Sequence, residues 1–245
     1  MSNVPSFHKS ISAVVTLHNK SSTILPTLDK LKIDLTNLDY EIIIVENGSS
    51  DNSFELTKKW CLDNPDVDAH LTTSEIGLGN AFKKGIDIST KDFIWSVPAD
   101  MQFGTSDLLS FIKNYSEDIS LYIGSRLHDD SVVVRNWNRK YISLVFNFVK
   151  KILIDSNVKD TMGTIIGDAK TMKKYYLLPK TTKFFYITEL IAYYEKDHLK
   201  ILEVPVETFT EIDLSSGNSS TVNLFLTPIE VFFNLISLSF RLRRQ

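Results

Sequence analysis

Residues 41–51 read EIIIVENGSSD, and the architecture follows from this stretch. Ile42, Ile43, Ile44 and Val45 make a β-branched apolar run too short for an amphipathic helix, so it reads as a buried strand. The run ends on a carboxylate, Glu46, and an amide, Asn47, before Gly48 permits a tight turn. Ser49, Ser50 and Asp51 then lead into a helix expected at about 52–63. A strand that carries polar groups to its own carboxyl end is the pattern of an open α/β sheet, where ligands gather at strand ends. Two roles are open to Asp51: ligand contact, or N-cap of the following helix.

Working outward, similar runs recur at 11–17, 67–72, 92–97 and 119–124, separated by helix-period segments at about 21–36, 78–88 and 105–114. This alternation predicts an α/β protein with a mostly parallel central sheet and helices on both faces. Beyond residue 130 the character changes. A long helix is expected over 136–154, its aromatic face (Trp137, Tyr141, Phe146, Phe148) edged by Arg139, Lys140, Lys150 and Lys151. A strand near 163–167, a helix at about 185–197, a strand at 200–206 and the loop LSSGNSST follow. The helix at 221–243 ends in Arg241, Arg243 and Arg244, and core, subunit interface and membrane surface are all open to its apolar face. The organisation expected is one domain over 1–220, with a nucleotide-binding half to about 103 and an acceptor half from about 104, and an amphipathic C-terminal helix over 221–245.

With 43% hydrophobic and 23% charged residues, the 245-residue chain has the balance of a globular protein with one sizeable core, which excludes a disordered or disulfide-scaffold class. A net charge of −3 argues against a nucleic-acid partner, which needs a basic field. The single cysteine, Cys61, has no partner in the chain, and the N-terminus MSNVPSFHKS lacks the apolar stretch of a signal peptide. A cytoplasmic setting is therefore expected, peripheral on the membrane at most. His8, His70, His128 and His198 lack metal-ligand spacing, so zinc is not expected.

Two further stretches carry chemistry. In Ile76-Gly77-Leu78-Gly79-Asn80-Ala81 the paired glycines either admit a phosphate or sugar close to the backbone or simply punctuate a helix entry. In Val97-Pro98-Ala99-Asp100-Met101-Gln102 a buried strand delivers Asp100 to the sheet edge with Gln102 nearby, oxygen donors suited to a divalent cation on a diphosphate. The alternative for Asp100 is a turn cap. Glu46 and Asp100 are expected to end adjacent strands.

In combination and order these motifs resemble the family 2 glycosyltransferases with the GT-A fold, most closely the dolichyl-phosphate mannose synthase-like branch. The resemblance runs over about residues 11–206. Thr16-Leu17-His18-Asn19 stands where the family has a Pro-x-x-Asn-Glu loop, Glu46 to Asp51 matches its Asp-Asp/Asn-Gly-Ser-x-Asp turn, and GLGNAFKKGI matches its Gly-x-x-x-Ala-x-x-x-Gly helix. Ile123-Gly124-Ser125-Arg126, then Arg139 with Ser143 and Asn147, Val158 to Thr161, Thr188-Glu189-Leu190 and Glu203 to Val206 continue it.

The resemblance implies an inverting transferase that moves a sugar from a nucleotide sugar to a polyprenyl phosphate or glycan acceptor. It implies that Thr16, His18, Asn19, Glu46, Gly48, Ser49, Asp51, Gly77 and Asp100 surround the donor. Asp100 and Gln102 would hold Mg2+ or Mn2+ at its diphosphate, while Arg126, Arg139 and Ser143 would hold an anionic acceptor. Glu189 would take the proton of a hydroxyl acceptor. For the arginines the alternative is a surface ion pair, and for Glu189 a structural pairing with Arg126 or Arg139. Two departures stand out: the metal motif, usually Asp-x-Asp, is Pro98-Ala99-Asp100, and Lys20 replaces the glutamate after Asn19. They motivate a second reading, a nucleotide-sugar-binding protein of the same fold with little or no activity.

Overall fold

The computed structural model describes residues 7–133, 137–208 and 226–244, without the side chains of 137–142 and 226–229. The loop LSSGNSST lies outside the described residues, as do the side chains of Trp137, Arg139 and Tyr141.

Seven strands form one sheet: β1 (Ile11–Leu17), β2 (Tyr40–Glu46), β3 (Ala69–Thr73), β4 (Phe93–Pro98), β5 (Leu121–Ser125), β6 (Thr164–Asp168) and β7 (Ile201–Pro205). Their order is β3-β2-β1-β4-β6-β5-β7. The first four run parallel, β6 is antiparallel to both β4 and β5, and β7 is parallel to β5. Strands β1, β2 and β4 are buried on both faces, which is why they read as continuous apolar runs, while the edge strand β3 is partly exposed. The chain steps outward from β1 to β3 and then returns to place β4 on the other side of β1. That reversal is the switch point at which open α/β sheets bind ligands. It also corrects one expectation: Glu46 and Asp100 do not end adjacent strands, because β1 pairs with both β2 and β4 and lies between them.

One face is covered by α1 (Ile24–Asp34), α2 (Ser53–Asp63) and α4 (Ser106–Lys113), through Leu28, Leu31, Trp60, Leu108 and Phe111. The other is covered by α3 (Leu78–Ile88), α6 (Ala169–Tyr175) and α7 (Phe185–Lys196), through Phe82, Ile86, Met172, Tyr186 and Leu190. Helix α3 lies close on β1 because Gly85 has no side chain; a Cβ there would stand 2.2 Å from Val14 Cγ1. The sequence reading missed α6, whose seven residues are too few to show a helical period; the Asp168 carboxylate opens it by accepting from Thr171 N at 2.7 Å. Helices α5 (Trp137–Ile154) and α8 (Leu226–Arg244) pack outside these layers, where Leu235 and Leu238 of α8 meet Phe185 and Ala192 of α7 and Phe146 and Val149 of α5. The last helix therefore has a core-facing side, while Phe232, Phe233 and Phe240 are exposed. So are Leu144, Val145, Phe148 and Ile152 on α5.

Candidate active site

The loop that leaves β1 and the turn that leaves β2 are stitched together by side chains the sequence places at strand ends. Asn19 adopts φ 50°, a left-handed conformation that asparagine tolerates better than most residues. Its Oδ1 accepts from Ser50 N at 2.8 Å, and its own N–H donates to Ser49 Oγ at 3.0 Å. Lys20 N donates to Ser53 Oγ at 2.8 Å and Ser21 N to Asp51 Oδ2 at 3.0 Å. The other Asp51 oxygen accepts from Ser53 N at 3.0 Å and from the Ser53 hydroxyl, so Asp51 ties the first residue of α2 to the β1 loop, although the N-cap position itself belongs to Asn52. Burial would raise the Asp51 pKa, but the bonds from Ser53 and Ser21 outweigh it and hold the carboxyl at about 2.

Glu46 ends a buried strand because its Oε1 closes its own turn by accepting from Ser49 N. The His18 ring donates from Nδ1 to Asn47 O at 2.9 Å, and Thr16 sits half-buried at the end of β1. Asn47, absent from the expected site, joins this turn to the third motif: it donates to Glu75 O at 2.7 Å and accepts from Gly77 N at 2.9 Å. Gly48 has φ 75° and Gly77 φ 129°, backbone that an L side chain would strain. A Cβ on Gly77 would stand 2.3 Å from Thr182 O, and Gly79 N donates to that same carbonyl at 2.8 Å. The space spared by the two glycines is thus taken by the loop before α7.

Asp100 lies just beyond β4. Thr23 and Thr27 of the α1 region donate to Ala99 O at 2.9 and 3.1 Å and hold this segment against the helix. The partner of Asp100 is Lys20, with Nζ 2.7 Å from Oδ2. The residues do not fit a divalent ion as they stand. An ammonium already pairs with Oδ2 of the one carboxylate, Pro98 offers no ligand, and Gln102 is exposed two residues further on. The described residues whose acidic and imidazole ligand atoms do converge, Glu41, Asp68 and His70, lie within 4.8 Å of one another at the amino ends of β2 and β3. That is the far end of the sheet from Glu46, and Glu41 there is engaged by Ser12 Oγ and Thr90 N, each at 2.6 Å.

On the other side of the switch point, Arg126 forms a bidentate pair with Asp160, Nε to Oδ2 and Nη2 to Oδ1, both 2.8 Å. Burial pushes the Asp160 carboxyl upward, yet the guanidinium and the N–H groups of Arg126 and Met162 hold it below its ordinary value. Glu203 fixes the segment by accepting from Lys159 N at 2.8 Å and Asp160 N at 3.0 Å. Ser143 and Asn147 of α5 line the same small cleft as Arg126 and Asp160. Glu189 is fully buried in α7; its Oε2 accepts from Lys180 N at 2.8 Å and from Thr181 N and Oγ1 at 2.9 Å. Its Oε1 meets the guanidinium of Arg241, so an ionic partner comes from α8 rather than from Arg126, while the Arg139 side chain lies outside the described residues.

Residues 12–177 match glycosyl transferase family 2. The chain belongs to that family. Its relatives include dolichyl-phosphate beta-glucosyltransferases. The one from Dictyostelium discoideum is 26% identical, the match covering 94% of this chain and 74% of that protein. The one from Trichomonas vaginalis is 25% identical, covering 79% and 62%. Among solved structures, glucosyl-3-phosphoglycerate synthase from Mycobacterium tuberculosis, in complex with Mn2+, uridine diphosphate and glucosyl-3-phosphoglycerate, superposes with TM-score 0.66 at 15% identity, over 95% of this chain and 80% of that one. Mannosyl-3-phosphoglycerate synthase from Rubrobacter xylanophilus gives TM-score 0.65 at 14% identity, over 96% and 74%. These likenesses establish the GT-A fold expected from the motifs.

This family 2 member is therefore a nucleotide-sugar-dependent glycosyltransferase. Of the residues that the resemblance assigned to the donor, Asn19, Glu46, Ser49 and Asp51 belong to one hydrogen-bonded unit, His18 adjoins it through the unassigned Asn47, and Asp100 reaches it through Lys20. Of the acceptor residues, Arg126 and Ser143 share a cleft and the Arg139 side chain lies outside the described residues. Lys20, Asn47, Asp160 and Arg241 were not assigned site roles, although Lys20 stood out as a new cation where a carboxylate is missing nearby, Asn47 as an amide at a strand end and Asp160 within a matched motif. Among the described residues no helix is long and apolar enough to cross a membrane.

Proposed function

We propose that this glycosyltransferase binds a nucleotide sugar across the carboxyl ends of β1, β2 and β4 and transfers the sugar, with inversion, to a polyprenyl phosphate or glycan acceptor approaching over Arg126 and α5. The supporting observation is the hydrogen-bonded unit of residues 18–21 with 46–53 standing beside Asp100, a polar edge at the switch point of the sheet. In the reaction the anomeric C–O bond to the diphosphate breaks, its electron pair leaves on the phosphate oxygen, and an acceptor oxygen bonds to the opposite face of the anomeric carbon. A phosphate acceptor needs no base. A hydroxyl acceptor needs one, and Glu189 serves only when Arg241 leaves it.

The dolichyl-phosphate relatives and the exposed apolar residues on α5 and α8 favour a lipid phosphate met at the cytoplasmic face of a membrane. The test begins with a thermal-shift panel of nucleotide sugars, followed by transfer to polyprenyl phosphate in anionic vesicles and to soluble glycans. Asp100→Ala is expected to lower kcat on the order of 100-fold or more, and Glu46→Ala to weaken nucleotide binding. Unchanged kinetics in both variants overturn the site. Transfer to a soluble glycan with no binding to vesicles removes the lipid acceptor. The loss of the Asp-x-Asp pair at Pro98 motivates a second reading, binding of the nucleotide sugar without turnover, which binding accompanied by no transfer to any acceptor would establish.

A further inference from the structure

We infer that Lys20 is the built-in cation of the donor site: its ammonium, held beside Asp100, grips the diphosphate of the nucleotide sugar in place of a divalent metal ion. This rests on the nucleotide-sugar reading above. Three observations carry it. The ammonium lies 2.7 Å from Asp100 Oδ2, and the Lys20 side chain keeps 35% of its surface open, so it faces both the carboxylate and the solvent-filled edge where a ligand enters.

The position is also built rather than incidental. Lys20 N is anchored on Ser53 Oγ, Lys20 O accepts from Thr23 N at 3.0 Å, and the same Thr23 donates to Ala99 O at 2.9 Å. The two ends of the ion pair are therefore fastened to each other through Thr23, the N-cap of α1. Finally, the charge balances. An Asp-x-Asp pair with a divalent ion sums to zero, and one aspartate with one ammonium sums to zero as well. Pro98 pairs in register with Thr16 at the end of β1, so the missing carboxylate and the added lysine belong to the same edge. A divalent ion entering here would meet one carboxylate and a neighbouring positive charge, a poor site for a cation that takes six or more oxygens.

When the anomeric bond breaks, the departing diphosphate gains one negative charge on the bridging oxygen. Lys20 offsets it with a charge-assisted hydrogen bond and keeps its proton, so no proton need be delivered to the leaving group. Lys20 touches the reacting diphosphate in this scheme and is a catalytic residue.

The experiment is calorimetric titration of UDP and of GDP into the full chain, in excess chelator and in excess Mn2+, with Lys20→Met and Lys20→Arg compared and circular dichroism confirming that each is folded. The expected result is binding of at least one nucleotide in chelator, changed less than about threefold by Mn2+, weakened on the order of tenfold in Lys20→Met and largely retained in Lys20→Arg. Binding that appears only with Mn2+ overturns the inference and leaves the nucleotide-sugar reading intact, as does Lys20→Met binding like the parent in chelator. No binding of either nucleotide under both conditions, repeated with the remaining common nucleoside diphosphates, overturns the donor reading itself. In the double variant Lys20→Glu, Pro98→Asp, which rebuilds the acidic motif, nucleotide binding is expected to require Mn2+; metal-independent binding there counts against the exchange of one cation for the other.

Discussion

At the donor edge the side chains of Asn19, Lys20, Asp51 and Asp100 sit at exposed or half-exposed positions, whereas beyond β4 whole charges are sunk into the protein. Asp160 and Glu189 are 5% and 0% exposed, each meeting an arginine from a distant part of the chain. Lys150 is a third case, 1% exposed, donating to Val158 O, its pKa pushed down to about 8 by burial. The difference has a physical consequence. Bonds and ion pairs at an open edge exchange with water at little cost, while a buried ion pair is stable only as a pair. The donor edge is therefore suited to recognition, and the acceptor side to holding α5, α7 and α8 in one arrangement around the Arg126 cleft.

Substitutions at three places test this contrast. The largest effect is expected from Asp160→Ala, which strands the Arg126 guanidinium and removes the acceptor for the Arg126 and Met162 N–H groups. A loss of about 3 kcal/mol in chemical denaturation is expected; a loss below about 0.5 kcal/mol would place this pair among ordinary surface bridges.

Next is Arg241→Met, which leaves the buried Glu189 carboxylate with only its bonds to residues 180 and 181. A loss of about 2 kcal/mol is expected, together with earlier proteolysis of α8. Glu189→Gln combined with Arg241→Met should then cost less than the two singles added, because the pair acts as a unit; full additivity would break the comparison on this side.

The smallest effect belongs to the donor edge. The Asp51 carboxyl is lowered from its ordinary 3.8 to about 2, so its contribution to stability is complete above the ordinary value and is lost as pH falls through about 2. In Asp51→Asn, Tm should fall slightly below the parent at neutral pH, and the gap should close in acid. A gap that stays constant down to the lowest pH would show that shape, rather than charge, is what Asp51 supplies.

The donor edge was largely legible in the sequence because each of its residues lies within a few positions of a strand end, where local pattern and turn chemistry speak directly. EIIIVENGSSD announces a strand, a turn and a helix start without help from any other part of the chain. The acceptor side was not. Arg126 stands 34 residues from Asp160 and Glu189 stands 52 from Arg241, and no spacing rule links charges that meet only after helices pack.

By itself the sequence determined the strand-helix alternation, the mostly parallel sheet and the carboxylates and amides at its carboxyl edge, because periodicity and turn residues act over short distances. Only the tertiary structure decided that β1 lies between β2 and β4, that Arg126 and Glu189 are held by Asp160 and Arg241, and that Lys20 reaches Asp100. Those outcomes depend on which strand crosses to which side and on how deeply each charge is buried, and these are properties of the packed chain as a whole.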